Sequence, residues 1–323
     1  MSQMNLVVAA PRCTALHSWV GRWAPAVAVA AFALCGPAGI ARGAGSPSAS
    51  AELNSITVQA QKDRETVERE AKAFVAAVAV QPWDRSLARW NTPICPLVAG
   101  LPREQGEFIL SRLSQVASFA GAPLAPEVCR PNFYVVATRN PDALLKIWRK
   151  RDKNMFGNES EPKVRRFLYG GGPVRVWYNA DLDEADGLPL TTDALAMYIG
   201  GASGSGARYN SAPTNIHAKL SRLQWDELRN LASVLVIVDT GRMHGINFGQ
   251  LADYVALAGL TEVRFGADVG PAATILRLFE SPAALPGLSL WDQAFLKALY
   301  HTDQADRMQV SVIETQVARS MAP

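Results

Sequence analysis

The chain has 323 residues, of which 49% are hydrophobic and 19% charged, so it can bury a full core and does not belong to the disordered class. Its net charge of +3 is small, and its Lys and Arg residues are scattered along the sequence, which argues against a nucleic-acid-binding surface. With its two ends set aside, the length suits one large domain or two small ones.

Residues 1–43 have the pattern of a signal peptide. Arg12 and Arg22 precede an apolar run, residues 24–40. This run is too short, and too interrupted by Pro and Gly, to cross a membrane stably. Small residues follow, so we expect cleavage near residue 43 and an exported, periplasmic or secreted protein with no stable membrane span. Two alternatives stay open: an uncleaved N-terminal anchor, and a lipid anchor on Cys35, although Leu34 is bulky for such a site.

Cysteine usage predicts a disulfide. Cleavage removes Cys13 and Cys35 and leaves Cys95 and Cys129. Two cysteines in an oxidising compartment are typical of a structural bridge rather than of a catalytic thiol. This bridge would close a loop of roughly 35 residues and stabilise the fold by about 3–4 kcal/mol.

The first half of the chain predicts alternating strands and helices. Residues 44–81 form a linker and an N-terminal helix, and a single domain occupies residues 82–302. Apolar spacing predicts a strand, a helix, a second strand and a second helix, in the ranges 92–100, 103–121, 132–138 and 141–153. The helix between the two strands favours a parallel pair.

The second half predicts two further strands with helices between and after them. The strands are 170–182 and the strongly apolar 232–240; the helices are 191–199, 220–231, 248–259, 271–279 and 288–301. Residues 181–187 read as an acidic turn, and 303–323 as a C-terminal helix or tail. We therefore expect an α/β or α+β fold with a mixed sheet of four to five strands covered by helices.

The segment 252–262, ADYVALAGLTE, has the spacing of a zinc-protease helix without its histidines. Ala252, Ala256 and Glu262 occupy the ligand positions, and Asp253 occupies the position of the general base. A methyl group cannot bind zinc, so we expect neither metal nor cofactor here. An ordinary amphipathic helix that ends at Gly259 in the left-handed conformation also explains the segment.

The order of these elements resembles a family of exported bacterial proteins of unassigned function that are distantly similar to zincin-type metallopeptidases. The resemblance covers about residues 88–302 and rests mostly on apolar motifs. It implies a zincin-like fold without zinc ligands, with Asp253 at an acidic position, Gly259 at a turn, and three residues in a closing helix: Trp291, Asp292 and Tyr300.

The function that these observations favour is a non-catalytic, degenerate metallopeptidase-like module that binds a peptide or an envelope protein. Its candidate binding residues are Asp253, Glu262, His244, Arg208, Tyr209 and Asn210. A metal site that joins His244 to Asp239 or Asp253, and calcium binding by the acidic segment 181–186, are weaker hypotheses. A hydrolase of peptide or carbohydrate that uses pairs of carboxylates, and a purely structural envelope component, are the alternatives; the first draws on Asp181, Asp183, Asp239, Asp253 and Glu262.

Overall fold

The structure is a computed structural model that describes residues 6–7, 49–82, 85–151, 156, 160–184, 224–225 and 227–322. The chain divides into two compact units, one formed by Met1–Ala10 with Glu65–Pro323 and the other by Pro11–Arg64. The sheet and the candidate sites belong to the larger unit. Most of the predicted signal peptide, and the predicted binding residues Arg208, Tyr209 and Asn210, lie outside the described residues.

Seven α-helices and one sheet make up the described part of the chain. The helices are α1 Ala49–Val78, α2 Arg103–Ala120, α3 Pro141–Arg151, α4 Glu161–Tyr169, α5 Phe248–Leu260, α6 Leu290–His301 and α7 Gln309–Met321. The strands are β1 Leu6–Val7, β2 Pro96–Ala99, β3 Phe133–Thr138, β4 Val174–Glu184 and β5 Glu227–Asp239. None of the described helices is both long and apolar enough to cross a membrane.

Four strands form an open mixed sheet in the order β2-β3-β5-β4, and the two-residue β1 pairs antiparallel with β2 at the edge. β2, β3 and β5 run parallel, whereas β4 runs antiparallel to β5. The expected mixed sheet and the parallel pair joined by α2 are therefore confirmed, and the fold is α+β. The registers Val98↔Val135 and Val135↔Val236 place apolar residues side by side across all three parallel strands.

Helices cover both faces of the sheet. A large core on one face contains residues of α2, α5, α6 and α7 and of the last turns of α1. A smaller core on the other face contains residues of α3 and α4 packed around Trp177, whose ring centroid lies 4.9 Å from that of Phe156 and 5.3 Å from that of Phe167. The strongly apolar sequence of β5 follows from this burial on both faces.

Three sequence predictions about local structure are wrong. Residues 227–231 belong to β5 rather than to a helix, and residues 181–184 are the end of β4 rather than a turn, because these two segments pair with each other. The predicted helix at 271–279 contains only a 3-10 turn, Ile275–Arg277. Helix α4 was not expected from the sequence.

The predicted left-handed turn at Gly259 is also wrong. Helix α5 continues through Gly259 and ends at Leu260, with Thr261 in an extended conformation. A Cβ atom at position 259 would overlap the ring of Phe133 on β3. Glycine is therefore needed here because the helix lies against the sheet, and not because of a turn.

The predicted disulfide is confirmed. Cys95 and Cys129 are bonded, with their Cα atoms 6.0 Å apart. Asn132 reinforces the same junction: its side chain accepts a hydrogen bond from the backbone N–H of Cys95, and its own N–H donates to the Cys95 carbonyl. The start of β2 is thus tied to the segment that leads into β3.

We expect Gly259→Ala to lower the free energy of unfolding by about 1–3 kcal/mol, because the added methyl group forces helix and sheet apart. Denaturant titration measures the change. In a Phe133→Leu background the same substitution should lower the free energy of unfolding by less, since the overlapping ring is gone. Equal losses in the two backgrounds would contradict this account of the glycine.

Replacing both Cys95 and Cys129 with Ser should lower the free energy of unfolding by about 3–4 kcal/mol, because the unfolded chain gains conformational freedom. Denaturant titration of the variant and of the parent protein measures this difference in the free energy of unfolding. Peptide mapping of the unreduced parent protein should yield one linked peptide pair that contains these two cysteines. Finding either cysteine alkylated before reduction would refute the bridge.

Candidate functional site

The helix with zinc-protease spacing lies inside the core. Residues 250–260 are all buried, and the methyl groups of Ala252 and Ala256 are fully enclosed. Glu262, at the third ligand position, forms an ion pair with Arg229 at 2.6 Å. Among the described residues, no group of three or more His, Cys, Asp or Glu side chains is arranged so that it could hold a metal ion.

Asp253, the predicted acidic residue of this helix, joins three elements. Both of its carboxylate oxygens accept hydrogen bonds from the Arg112 guanidinium on α2, and one also accepts the backbone N–H of Leu288 at 2.9 Å. A Cβ atom at Gly287 would overlap the same carboxylate. The Asp253 side chain is 4% exposed, so this geometry gives it a role in packing α5 against α2 and the segment before α6.

A cavity of about 190 Å³ lies beside the first turn of α5. It is formed where β2, β3 and β5 reach their carboxyl ends, between α2 and the connection from β5 to α5. Its lining residues are Leu101, Gln105, Ile109, Ala137, Val238, Thr240, Met243, Ile246, Asn247, Phe248 and Leu251. Asp253 and Glu262 are not among them.

The topology explains the position of this cavity. The chain leaves β2 and β5 towards α2 and α5 on one face of the sheet, but it leaves β3 towards α3 on the other face. Diverging connections open a crevice at the carboxyl edge of parallel strands. Gly100, with φ of 82°, begins the connection after β2, and a Cβ atom there would overlap the carbonyl oxygen of Ala137 in the cavity wall.

The cavity and its rim are mainly apolar. Met243, Ile246 and Phe248 are partly exposed at the loop and the helix start, and the Phe248 ring centroid lies 5.7 Å from that of Phe108, which is 47% exposed. The side chain of Asn247 is engaged in the helix cap, where it accepts the N–H of Gln250 at 2.8 Å. The arrangement therefore suits an apolar group rather than a charged one.

The predicted loop residues are not brought together at this cavity. His244 is exposed in the connection between β5 and α5, next to the lining residue Met243. Asp239 accepts a hydrogen bond from the N–H of Gly241 at 3.0 Å and pairs with Arg242 at 3.5 Å. Sequence reasoning missed the cavity itself, although the parallel strand pair that it predicted has its carboxyl ends there.

Two of the candidate acids for hydrolysis, Asp181 and Asp183, are neighbours on one strand. They lie two residues apart on β4, and Asp183 accepts a hydrogen bond from the side chain of Asn230. Burial, and then the negative charge of Asp183, raise the pKa of Asp181. Neither residue lines the cavity.

Comparison with protein-family models, with curated proteins and with solved structures gave no match to this chain. The resemblance to zincin-like exported proteins therefore stays a prediction from the sequence.

We expect Arg112→Met to lower the free energy of unfolding by about 2–3 kcal/mol, because it leaves the buried Asp253 carboxylate without its cation. The value lies below that for a fully buried pair, since Arg112 is 37% exposed. The double variant Arg112→Met/Asp253→Leu should be more stable than Arg112→Met alone, as measured by denaturant titration. If the double variant loses as much free energy of unfolding as the two single variants together, Arg112 and Asp253 are not coupled as proposed.

Proposed function

We propose that this protein is an exported, non-catalytic binding module whose cavity holds one apolar side chain of a peptide or of an envelope protein. The observation that carries the proposal is the apolar cavity at the carboxyl ends of β2, β3 and β5, with partly exposed hydrophobic side chains around its mouth. The Cys95–Cys129 disulfide supports the exported location, because such bonds persist in oxidising compartments.

The size of the cavity supports a single side chain as its occupant. An apolar cavity of about 150 Å³ accepts benzene, whereas sites for drug-sized ligands span roughly 300–1,000 Å³. At about 190 Å³, this cavity suits one aromatic or branched aliphatic group. Phe108 and Phe248 at the rim would contact the residues that flank this anchor.

The placement of the five candidate acids supports a binding role over hydrolysis. Asp181 and Asp183 do not line the cavity, and the other three form ion pairs. Asp239, Asp253 and Glu262 each pair with a different arginine and belong to separate parts of the fold; the three partners are Arg242, Arg112 and Arg229. A carboxylate mechanism needs two acids that face one substrate cleft. We keep descent from a zincin-like peptidase as a hypothesis, supported by the order of β5, α5 and α6.

Selection of random peptides displayed on phage tests the proposal. We expect enrichment of peptides with one large apolar anchor. Ala137→Leu, which adds carbon atoms in the cavity wall, should weaken their binding at least about tenfold, because the anchor can no longer be buried. Fluorescence anisotropy with labelled synthetic peptides gives the dissociation constants.

Two further variants distinguish binding in the cavity from nonspecific hydrophobic binding to the protein surface. Met243→Ser removes an apolar side chain at the rim and should also weaken binding. Leu290→Ser removes a side chain that is 68% exposed at the start of α6 and should leave binding unchanged. Peptides without an apolar anchor, or equal affinity for Ala137→Leu and the parent protein, would refute the proposal and favour a structural role.

A further inference from the structure

Basic residues are concentrated in the helical layer opposite the cavity face. Residues 139–175 contain ten Lys or Arg and four Asp or Glu, whereas the whole chain contains 32 and 29, which leaves 22 and 25 for the rest. This segment includes α3 and α4. The prediction that the cations are scattered is therefore wrong for this layer of the fold.

Internal ion pairs use only part of this charge. Arg175 pairs with Asp142 at 2.6 Å, and Arg149 pairs with Glu161 at 3.1 Å, so both described acids of the segment already have a cation beside them. Six other cations are exposed on or beside these helices: Arg139, Lys146, Lys150, Arg151, Arg165 and Arg166. None of these six cations forms an ion pair with an acid among the described residues. We call the positive surface that they form the α3–α4 face.

Apolar side chains lie among these cations. Ile147 is 50% exposed on α3, and Tyr169 is 54% exposed at the end of α4. A cleft of about 400 Å³ is lined by Arg149, Glu161, Arg165 and Tyr169, and it places two guanidinium groups near a tyrosine ring. Cations combined with an exposed aliphatic residue and an aromatic residue are typical of surfaces that lie on a membrane interface.

We propose that the α3–α4 face docks on an anionic phospholipid membrane. Charge complementarity brings the face to the membrane, because Lys and Arg near a negative bilayer surface attract its headgroup phosphates. Ile147 then inserts among the acyl chains. The long stems of Lys146 and Lys150 keep their ammonium groups in the headgroup layer. Arg165 and Tyr169, in the cleft, would contact a lipid phosphate.

A nucleic acid would satisfy the same cations, and its bases would stack on Tyr169, but it would leave Ile147 without a partner. Its binding is governed by phosphate contacts and by stacking of bases on aromatic rings, and an exposed isoleucine contributes to neither. Ile147 therefore distinguishes the two partners. Its position, three and four residues before Lys150 and Arg151, places it on the same side of α3 as two of the cations.

Co-sedimentation of the full chain with vesicles tests the proposal. We compare phosphatidylcholine alone with phosphatidylcholine mixed with phosphatidylglycerol. Binding to the anionic vesicles should be tighter, and it should weaken between about 0.1 M and 1 M salt as the screening length falls from about 10 Å to 3 Å. Lys150→Gln/Arg165→Gln should weaken anionic-vesicle binding by about 25-fold, or about fivefold for each cation.

A control variant with the same change in charge makes this comparison specific. Arg130→Gln/Arg319→Gln neutralises two exposed cations outside the α3–α4 face and should change vesicle binding less than twofold. The N-terminal apolar segment is identical in all of these proteins, so only differences between variants count. Unfolding midpoints equal to that of the parent protein show that each variant is folded.

Ile147→Ser gives the decisive second readout, because it should weaken vesicle binding and leave binding to a short DNA duplex unchanged. Equal binding to both kinds of vesicle, or equal losses in the two double variants, would overturn the proposal. A combined result would also overturn it: Ile147→Ser leaves vesicle binding unchanged, and Lys150→Gln/Arg165→Gln weakens DNA binding. That result would assign the face to nucleic acid.

Discussion

The fold depends on satisfying the polar groups of a helix that is buried on all sides. The C-terminal turn of helix α5 is buried, so the carbonyl groups there need partners from within the protein. Three aromatic side chains donate these hydrogen bonds: Tyr178 to Ala258 at 2.6 Å, Trp90 to Gly259 at 2.8 Å and Tyr300 to Leu260 at 2.6 Å. Burial raises the pKa of Tyr178 and of Tyr300, which keeps both hydroxyl groups protonated as donors. At the other end, Asn247 and Gln250 cap each other.

These contacts also position the candidate site. Gly259 lets the end of α5 rest directly on Phe133 of β3, and Asp253 holds the middle of the helix to Arg112 of α2. With both the distance to the sheet and the distance to α2 fixed, the first turn of α5 has one place to lie, beside the carboxyl ends of β3 and β5. Packed strands and helices thus form much of the cavity wall, and the connection from β5 to α5 forms the rest. An apolar anchor would therefore enter a largely preformed space at little conformational cost.

The sheet separates two surfaces of different chemistry. On the face covered by α2 and α5, an apolar cavity opens at the strand ends; on the face covered by α3 and α4, exposed cations surround a few apolar side chains. The connection after β3 links the two, because it begins beside the cavity residue Ala137 and continues through Arg139 into α3. A peptide and a membrane surface would therefore contact opposite helical layers, and neither proposal requires the other.

The elements whose burial pattern is local could be predicted from the amino-acid sequence. Periodic apolar residues predicted β2, α2, β3, α3, α5 and α6, and the two cysteines beyond the predicted signal peptide predicted their own pairing. Features that depend on residues far apart in the chain became visible only in the folded protein. Glu227–Leu231 is a strand because β4 lies beside it, Gly259 is needed because Phe133 lies against it, and Asp253 is structural because Arg112 reaches it. The cavity was not predictable for the same reason: its residues meet only when separate segments pack, and local periodicity carries no information about which segments become neighbours. The excess of cations in residues 139–175 is visible in the sequence, but the position of α3 and α4 opposite the cavity face depends on packing.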